Sequence, residues 1–238
     1  AKTRRGYIDF GVDEAKILVD EKCVPTEIVL RDRGVGENLI EDFMIAANEC
    51  VATHIYFMNL PFIYRVHEYP KEEKVRNYLS FLQTLGITVR ANIKDVSPKS
   101  MQNLLYGLKK EKEYPILASQ LLRSMQKAVY MPENLGHYGL ASKCYTHFTS
   151  PIRRYPDTTV HRLLRTYLFN KNINTDTINY WDQKLVSLAA HTSERERASI
   201  ECEREVDDMK MAEYMEKHIG EEFEGMISSV TNFGMFVE

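Results

Sequence analysis

The sequence predicts an α+β fold, and two features of its patterning carry that prediction. Between residues 6 and 30, turn-prone residues separate three short apolar runs, YIDF, AKILVDE and TEIVL, which have the form of strands. Apolar positions then recur at helical spacing from Gly36 to Met58, and again almost without a break from Asp176 to Ile219. The chain is therefore predicted to be a small antiparallel sheet followed by a helix-rich body.

The helix from Gly36 to Met58 is expected to be long and buried. Glu41 lies on or near the edge of its apolar face, which is formed by Leu39, Ile40, Phe43, Met44, Ala47, Cys50, Val51 and Ile55.

Proline and glycine mark the bounds of other predicted helices. Pro70 opens a helix that stops at Gly86, and Ser97-Pro98 opens another with serine as the N-cap. Ser150-Pro151 and Pro156-Asp157 also have the form of helix starts, because proline suits a first turn and not a helix interior. Gly220 is expected to end the long C-terminal helix.

The composition is that of an ordinary globular protein of 238 residues, with 44% hydrophobic and 27% charged residues. The sequence contains no long apolar run, and AKTRRGYIDF lacks the features of a signal peptide, so we expect no membrane contact and a cytoplasmic location. The four cysteines form no CxxC pair, which argues against a disulfide framework or a zinc ribbon. A metal site formed by Cys144, His147 and His137 is the less favoured alternative to a buried cysteine.

The two ends of the sequence predict a piece of a longer protein. It begins without methionine, and GMISSVTNFGMFVE has two alternating apolar runs around Thr231-Asn232, as in a β-hairpin. We expect residues 1–220 to form one domain and residues 221–238 to begin a second, separate module.

Positive charge is concentrated in HFTSPIRRYPDTTVHRLLR, residues 147–165, although the whole chain has a formal net charge of −3. Arg153 and Arg154 are expected near helix N-termini, where free backbone N–H groups and the helix dipole favour an anion. Arginine adds a planar fork that can grip a phosphate through two hydrogen bonds. Charge alone leaves open a solvated basic helix face, balanced by the acidic residues between 194 and 224.

The string HYGLASKCYTHFTSPIRRYPDTTVH resembles the signature of the ribonuclease II and ribonuclease R (RNB) family of exoribonucleases. The blocks RRGYIDF, LIEDFMIAANECVA, YRVHEYP and LLRSMQKAVYMPENLGHYGLA are similar to successive blocks of the family's catalytic domain, in the same order. The tail EGMISSVTNFGMFVE resembles the opening of the OB-fold barrel that follows this domain. The resemblance implies a bent, largely antiparallel sheet packed with helices around a channel for single-stranded RNA.

The same resemblance implies a processive hydrolase that releases nucleoside 5′-monophosphates from the 3′ end of single-stranded RNA, using magnesium. The family's metal-binding aspartates lie upstream of the RRGYIDF block, so the magnesium ligands are expected upstream of this chain, which alone is expected to be inactive. The acidic cluster around Glu203 lacks the family's aspartate spacing and is interpreted mainly as a solvated helix face.

Seven residues match functional positions of the family. Arg153 resembles the arginine that holds the scissile phosphate, and Glu203 a glutamate near the active site. Glu41 resembles a contact to the 3′-terminal ribose, and Phe10 an aromatic that caps the stacked bases, although a core phenylalanine is the competing interpretation. The remaining three are weaker candidates for the RNA backbone: Arg154, His161 and Arg165.

Two alternatives stay open beside the exoribonuclease. A noncatalytic RNA-binding or scaffold protein could keep this fold without the metal site. A protein unrelated to RNA could instead use the long C-terminal helix as an interaction bundle with an acidic face. The sequence does not fix the oligomeric state, and a monomer is the expectation.

Overall fold

The structure is a computed structural model that describes residues 2–11, 14–31, 33–87 and 96–237. Its helices are α1 (Lys2–Arg5), α2 (Val35–Met58), α3 (Glu72–Thr84), α4 (Pro98–Leu108), α5 (Tyr114–Ser124), α6 (Tyr155–Leu164) and α7 (Thr175–Glu216). Its strands are β1 (Ala15–Val19), β2 (Pro25–Leu30), β3 (Tyr64–Val66), β4 (Val129–Met131), β5 (Ile227–Thr231) and β6 (Gly234–Val237).

The described strands form three short antiparallel ladders, β1 with β2, β3 with β4, and β5 with β6. Together with the seven described helices they confirm the predicted α+β class. The hairpin β1–β2 and the hairpin β5–β6 join neighbouring segments, whereas β3 and β4 come from distant parts of the chain. Tyr64, Val66 and Tyr130 of these two strands are buried, so the pair β3–β4 lies inside the helical body.

The prediction of a strand at YIDF is wrong, because residues 7–10 have no regular secondary structure. Their backbone groups form hydrogen bonds with partners other than a neighbouring strand. The Ile8 N–H donates to the Gly139 carbonyl at 2.9 Å, and the carbonyls of Tyr7 and Phe10 accept from the side chains of Gln102 and Tyr114. The segment is thus held by two helices, α4 and α5, and the first sheet has two strands instead of three.

Helix α2 has the predicted extent but not the predicted burial. Its C-terminal half enters the core through Ala52 and Ile55, both fully buried. Its N-terminal half leaves the predicted apolar face in solvent, since Leu39, Ile40 and Phe43 are 54%, 57% and 65% exposed. The spacing of apolar residues defines a face of a helix, and it does not say whether another element covers that face.

The predicted helices at residues 70–86 and from Ser97 onward are confirmed as α3 and α4. The Ser97 side chain caps α4 by accepting a hydrogen bond from the Ser100 N–H, and Gly86 follows α3 with a φ of +76°. Helix α5 was not predicted. These three helices pack around one apolar cluster that includes Leu82, Met101, Leu117 and Leu121.

A second apolar cluster joins α2, β3, β4, α6 and the first part of α7. Its fully buried members include Ile55, Ile63, Val160, Leu163 and Leu185. This cluster places the basic segment at residues 147–165 directly over β3–β4.

The basic segment contains one helix and not two. Residues 151–153 form a turn, so the predicted helix start at Ser150-Pro151 is wrong, and α6 begins at Tyr155 with Pro156 in its first turn. A short π-helical turn, Arg165–Phe169, continues α6. The buried residues Asp157 and Val160 fix which side of α6 faces the core.

Helix α7 confirms the long C-terminal helix, although it ends before Gly220, which has a φ of +95° beyond the helix end. Its buried residues all lie between 185 and 193. Near its far end, the ammonium groups of Lys210 and Lys217 donate to the carbonyls of Cys23 and Pro25 in the hairpin β1–β2.

The predicted C-terminal hairpin is confirmed as β5–β6, with its turn at Asn232 and Phe233. None of the described helices is long and apolar enough to cross a membrane.

Candidate functional site

The turn that precedes α6 is held by one buried carboxylate. The Asp157 side chain is fully buried and accepts hydrogen bonds from the Ser150 N–H at 2.8 Å and from Arg154 Nε and Nη2 at 2.9 and 2.7 Å. The guanidinium of Arg154 therefore binds Asp157 through its fork, with a quarter of its side chain exposed. Arg154, predicted as an RNA-backbone contact, is placed as a partner of the protein's own carboxylate.

Arg153 differs from its neighbour. Its backbone N–H donates to the Ser150 carbonyl at 3.3 Å, and its side chain is exposed to solvent. Within the described ranges, the Arg153 guanidinium has no hydrogen bond or ion pair. The turn thus presents one free cation next to one that is already neutralised.

A buried layer of aromatic and histidine rings lies beneath this turn. Tyr145 contacts His137 and His147 edge to face, with ring centroids 5.2 and 5.8 Å apart, and the Tyr130 hydroxyl lies 2.8 Å from His147 Nδ1. Burial lowers the pKa of His137 to about 3 and that of His147 to about 2, and the nearby Arg154 and Arg65 also act on His147. Both imidazoles are therefore neutral at physiological pH.

Arg65 connects this layer to α7. Its Nη1 donates to Glu196 Oε2 at 2.6 Å, and its guanidinium lies 4.6 Å from the centroid of the Tyr130 ring. Ser193 of α7 accepts a hydrogen bond from the Tyr130 N–H at 2.9 Å. These contacts fix the strand β4 and the helix α7 to the layer under the basic segment.

Asn48 connects the same layer to α2. This buried amide donates from Nδ2 to the Tyr145 hydroxyl at 3.0 Å and accepts from the Phe148 N–H at 2.9 Å. Burial raises the pKa of Tyr145, the hydrogen bond from Asn48 lowers it, and the charges of Arg154 and Glu49 act on it in opposite directions. Asn48 therefore ties α2 to Phe148, two residues before Ser150 at the start of the turn that precedes α6.

A cleft of about 480 Å³ lies between α1 and α2. Lys2 in this cleft bridges Glu41 at 3.1 Å and Asp42 at 2.6 Å, and Arg5 pairs with Glu49 at 3.0 Å. Glu41, the predicted ribose contact, does not line the cleft itself but pairs with Lys2 in its wall, and its side chain is 31% exposed.

Phe10, the predicted base-stacking residue, is partly buried and packs against the first apolar cluster. Its carbonyl accepts a hydrogen bond from the Tyr114 hydroxyl at 3.1 Å. The structure therefore gives Phe10 a packing role, and only the remaining exposed part of its ring is available to a ligand.

The three other predicted residues are exposed and lie on helices. His161 stacks on the Phe148 ring with centroids 4.5 Å apart and has its Nε2 3.0 Å from the Phe148 carbonyl oxygen. Arg165 begins the π-helical turn. Glu203 lies on α7 seven positions after Glu196, about 10 Å further along the helix axis.

The described residues include no group of three or more histidine, cysteine, aspartate or glutamate side chains that could hold a metal ion. The side chains around Glu203 and those of Cys144, His137 and His147 therefore do not fit a magnesium or zinc site. Burial also raises the pKa of the Cys144 thiol to about 11, which disfavours the thiolate form that a metal ligand needs.

Several residues of the site were missed by sequence reasoning. The pattern around Asp157 predicts only a helix start, and its position in the first turn of a helix is the signal that could have identified a functionally placed carboxylate. Asn48, Arg65 and Glu196 carry no local signal, because their partners are distant in the sequence.

A family model of the RNB domain matches residues 1–170. The chain belongs to the RNB domain family. Over 237 residues it is 48% identical to ribonuclease R 1 of Lactococcus lactis, covering 100% of this chain and 29% of that relative. The chain thus spans less than a third of that relative's length.

Two solved structures extend the comparison. Ribonuclease R of Mycoplasma genitalium, in complex with ribose-methylated single-stranded RNA, superposes with a TM-score of 0.94 at 35% identity, over 99% of this chain and 37% of that chain. Yeast Ssd1, described as a pseudonuclease, superposes with a TM-score of 0.52 at 25% identity, over 68% of this chain and 21% of that chain. The fold is therefore that of an RNB domain in part.

Proposed function

We propose that this chain is part of an exoribonuclease that hydrolyses single-stranded RNA from its 3′ end and releases nucleoside 5′-monophosphates. The observation that carries the proposal is the turn before α6, which leaves the guanidinium of Arg153 exposed and without a partner among the described residues while Arg154 is bound to Asp157. Membership of the RNB family and the similarity to an RNA-bound ribonuclease R support RNA as the ligand.

Arg153 is proposed to bind the scissile phosphate. A guanidinium can donate two parallel hydrogen bonds to phosphate oxygens and stabilise the charge that develops on them. The N-terminus of α6 begins two residues later and adds the positive end of a helix dipole. Glu203 is proposed to act near this arginine, and Arg154, His161 and Arg165 are weaker candidates for the RNA backbone.

The cleft beside α2 is proposed to receive the 3′ end of the RNA. Glu41 has two carboxylate oxygens, each with more than one lone pair, so it can accept from a ribose hydroxyl while keeping its ion pair with Lys2. A ribose 2′-hydroxyl contact would favour RNA over DNA. Phe10 is proposed to contact a terminal base through the exposed part of its ring.

Magnesium is part of this proposal through the family resemblance alone, and the proposal assigns it no ligands among the described residues. The β5–β6 hairpin is proposed to begin an OB-fold module at residues 221–238, after a domain at residues 1–220. A monomer in the cytoplasm is the proposed state of the protein.

A noncatalytic RNA-binding or scaffold protein is the second candidate. The similarity to Ssd1, described as a pseudonuclease, favours it. The two candidates share the phosphate contact at Arg153 and differ in the release of mononucleotides.

The test is a titration of the chain with fluorescent single-stranded oligo(A), with magnesium and at two salt concentrations. Arg153→Ala should weaken binding by about tenfold to a hundredfold, because a hydrogen-bonded charged contact is worth roughly 1.5 to 3 kcal/mol. It should also reduce the slope of log affinity against log salt by about one. The matched control is Arg76→Ala, which removes an exposed arginine on α3 and should leave the affinity unchanged.

Equal affinities for Arg153→Ala and the unchanged chain would contradict the proposed phosphate contact. In a longer protein that contains this chain, mononucleotides released by the unchanged protein, and not by its Arg153→Ala variant, would favour the enzyme. Salt-dependent binding in a longer protein that contains this chain, without any release, would favour the noncatalytic binder.

A further inference from the structure

The turn that presents Arg153 is tied at both of its ends to one side chain. The Ser150 N–H, at the start of the turn, donates to Asp157 Oδ1 at 2.8 Å. The guanidinium of Arg154, at the end of the turn, donates to both oxygens of the same carboxylate. Asp157 therefore closes a loop of five residues, 150–154. Arg153 is the fourth residue of this loop, and its side chain is exposed.

Backbone hydrogen bonds complete this closure. The N–H groups of Arg153 and Arg154 both donate to the Ser150 carbonyl, at 3.3 and 3.1 Å, and the Thr158 hydroxyl donates to the Pro151 carbonyl at 2.8 Å. Every described contact that fixes Arg153 is thus made by its backbone and its neighbours. The direction of its side chain depends on the shape of the turn.

Because Asp157 is buried, the folded turn requires the ion pair between Asp157 and Arg154. Asp157 has no exposed surface, and three charged or backbone donors compensate the loss of water around its carboxylate. The carboxylate also lies in the first turn of α6, where the helix dipole favours negative charge. Loss of either partner would leave a buried charge without compensation, so the pair and the turn are expected to form or break together.

We propose that Asp157 is a positioning residue that directs Arg153 toward the RNA phosphate by clamping Arg154 and the Ser150 backbone, an inference that rests on the proposed function. The two adjacent arginines then have different tasks. Arg154 closes the turn and Arg153 binds the ligand, although sequence alone makes them equivalent.

The experiment is a double-mutant cycle on the affinity of the chain for oligo(A), with Asp157→Asn and Arg153→Ala as the two changes. Asp157→Asn keeps the size of the side chain and removes its charge. Alone, it should weaken RNA binding at least about threefold, which corresponds to the lower range of coupling between residues in contact. In the Arg153→Ala background it should have no further effect, because the side chain that it positions is absent.

A second variant covers the case in which Asp157→Asn does not fold. Arg154→Lys keeps the positive charge but lacks the fork that binds both carboxylate oxygens, so it should also weaken binding, again only when Arg153 is present. The control is Asp176→Asn, an exposed aspartate in the first turn of α7, which should leave affinity unchanged. Circular dichroism of every variant identifies those that are folded.

The outcomes separate the two proposals. If Arg153→Ala itself leaves affinity unchanged, the proposed function fails at that residue and this inference fails with it. If Arg153→Ala weakens binding while folded Asp157→Asn and Arg154→Lys bind as the unchanged chain does, only the positioning role is overturned. An equal loss from Asp157→Asn in both backgrounds would also overturn it, since Asp157 would then act independently of Arg153.

Discussion

Acid should destabilise this chain through two largely buried histidines, His137 and His147. Burial is the main cause that lowers the pKa of these imidazoles, to about 3 and about 2, from an ordinary value of 6.5. Between about pH 7.5 and about pH 5, the unfolded chain therefore binds protons at these residues that the folded chain does not bind. Stability rises with pH wherever the unfolded state holds more protons, so it must fall as the pH is lowered through 6.5.

The size of the loss follows from the unfolded value. At about pH 5 each histidine is about 1.5 pH units below its pKa in the unfolded chain, and one unit corresponds to about 1.4 kcal/mol. Each histidine therefore costs about 2 kcal/mol and the pair about 4 kcal/mol. Both folded pKa values lie well below 5, so the loss in this window does not depend on their precise positions.

Urea denaturation at both pH values measures this loss. His147→Gln keeps an acceptor for the Tyr130 hydroxyl and cannot titrate, so it should remove about 2 kcal/mol of the pH dependence. The control is His54→Gln, an exposed histidine of α2, which should keep all of it. A free energy of unfolding that is the same at the two pH values, or a full pH dependence in His147→Gln, would refute this reasoning.

Three further substitutions should change the free energy of unfolding, measured in urea. Gly6→Ala should lower the free energy of unfolding by more than about 1 kcal/mol. Gly6 has a φ of +104°, and an added Cβ would lie 2.8 Å from the backbone nitrogen of Lys99. Gly107→Ala, in α4, should raise the free energy of unfolding by up to about 1 kcal/mol, because an added Cβ there meets open space. Asn48→Ala should cost about 1 to 3 kcal/mol, since the buried Tyr145 hydroxyl and the partly buried Phe148 N–H lose their partner. Unchanged stability in Gly6→Ala or Asn48→Ala would contradict the close contact or the buried hydrogen bonds.

Local signals in the sequence predict the helices well and their surroundings poorly. Ser97 caps α4 and the periodic segment forms α7, because capping and periodicity act within a few residues. The segment YIDF has the composition of a strand, but Gln102 and Tyr114 bind its carbonyls from distant helices. No pattern within ten residues contains that information.

In the candidate site, too, the sequence identifies residues and does not identify their surroundings. The family resemblance selects Arg153 and Arg154 together, and charge alone treats them alike. Their difference arises from the burial of Asp157, which depends on how α6 packs over β3 and β4. For Phe10, the sequence already offered the interpretation of a packing residue. The structure agrees largely with that interpretation, because Phe10 packs against the first apolar cluster.

The contact between α7 and the β1–β2 hairpin has a consequence for the order of folding. Lys210 binds the carbonyl of Cys23, 187 positions away in the sequence. Lys217 binds the carbonyl of Pro25, 192 positions away. Closing loops of this length adds little to the equilibrium cost, which grows only with the logarithm of length, but contacts between distant residues form slowly. The 42 residues of α7 span about 63 Å, and only the segment near residues 185–193 is anchored in the core. The hairpin is therefore expected to dock last, after both apolar clusters have formed, and its amides should be among the first to exchange with solvent.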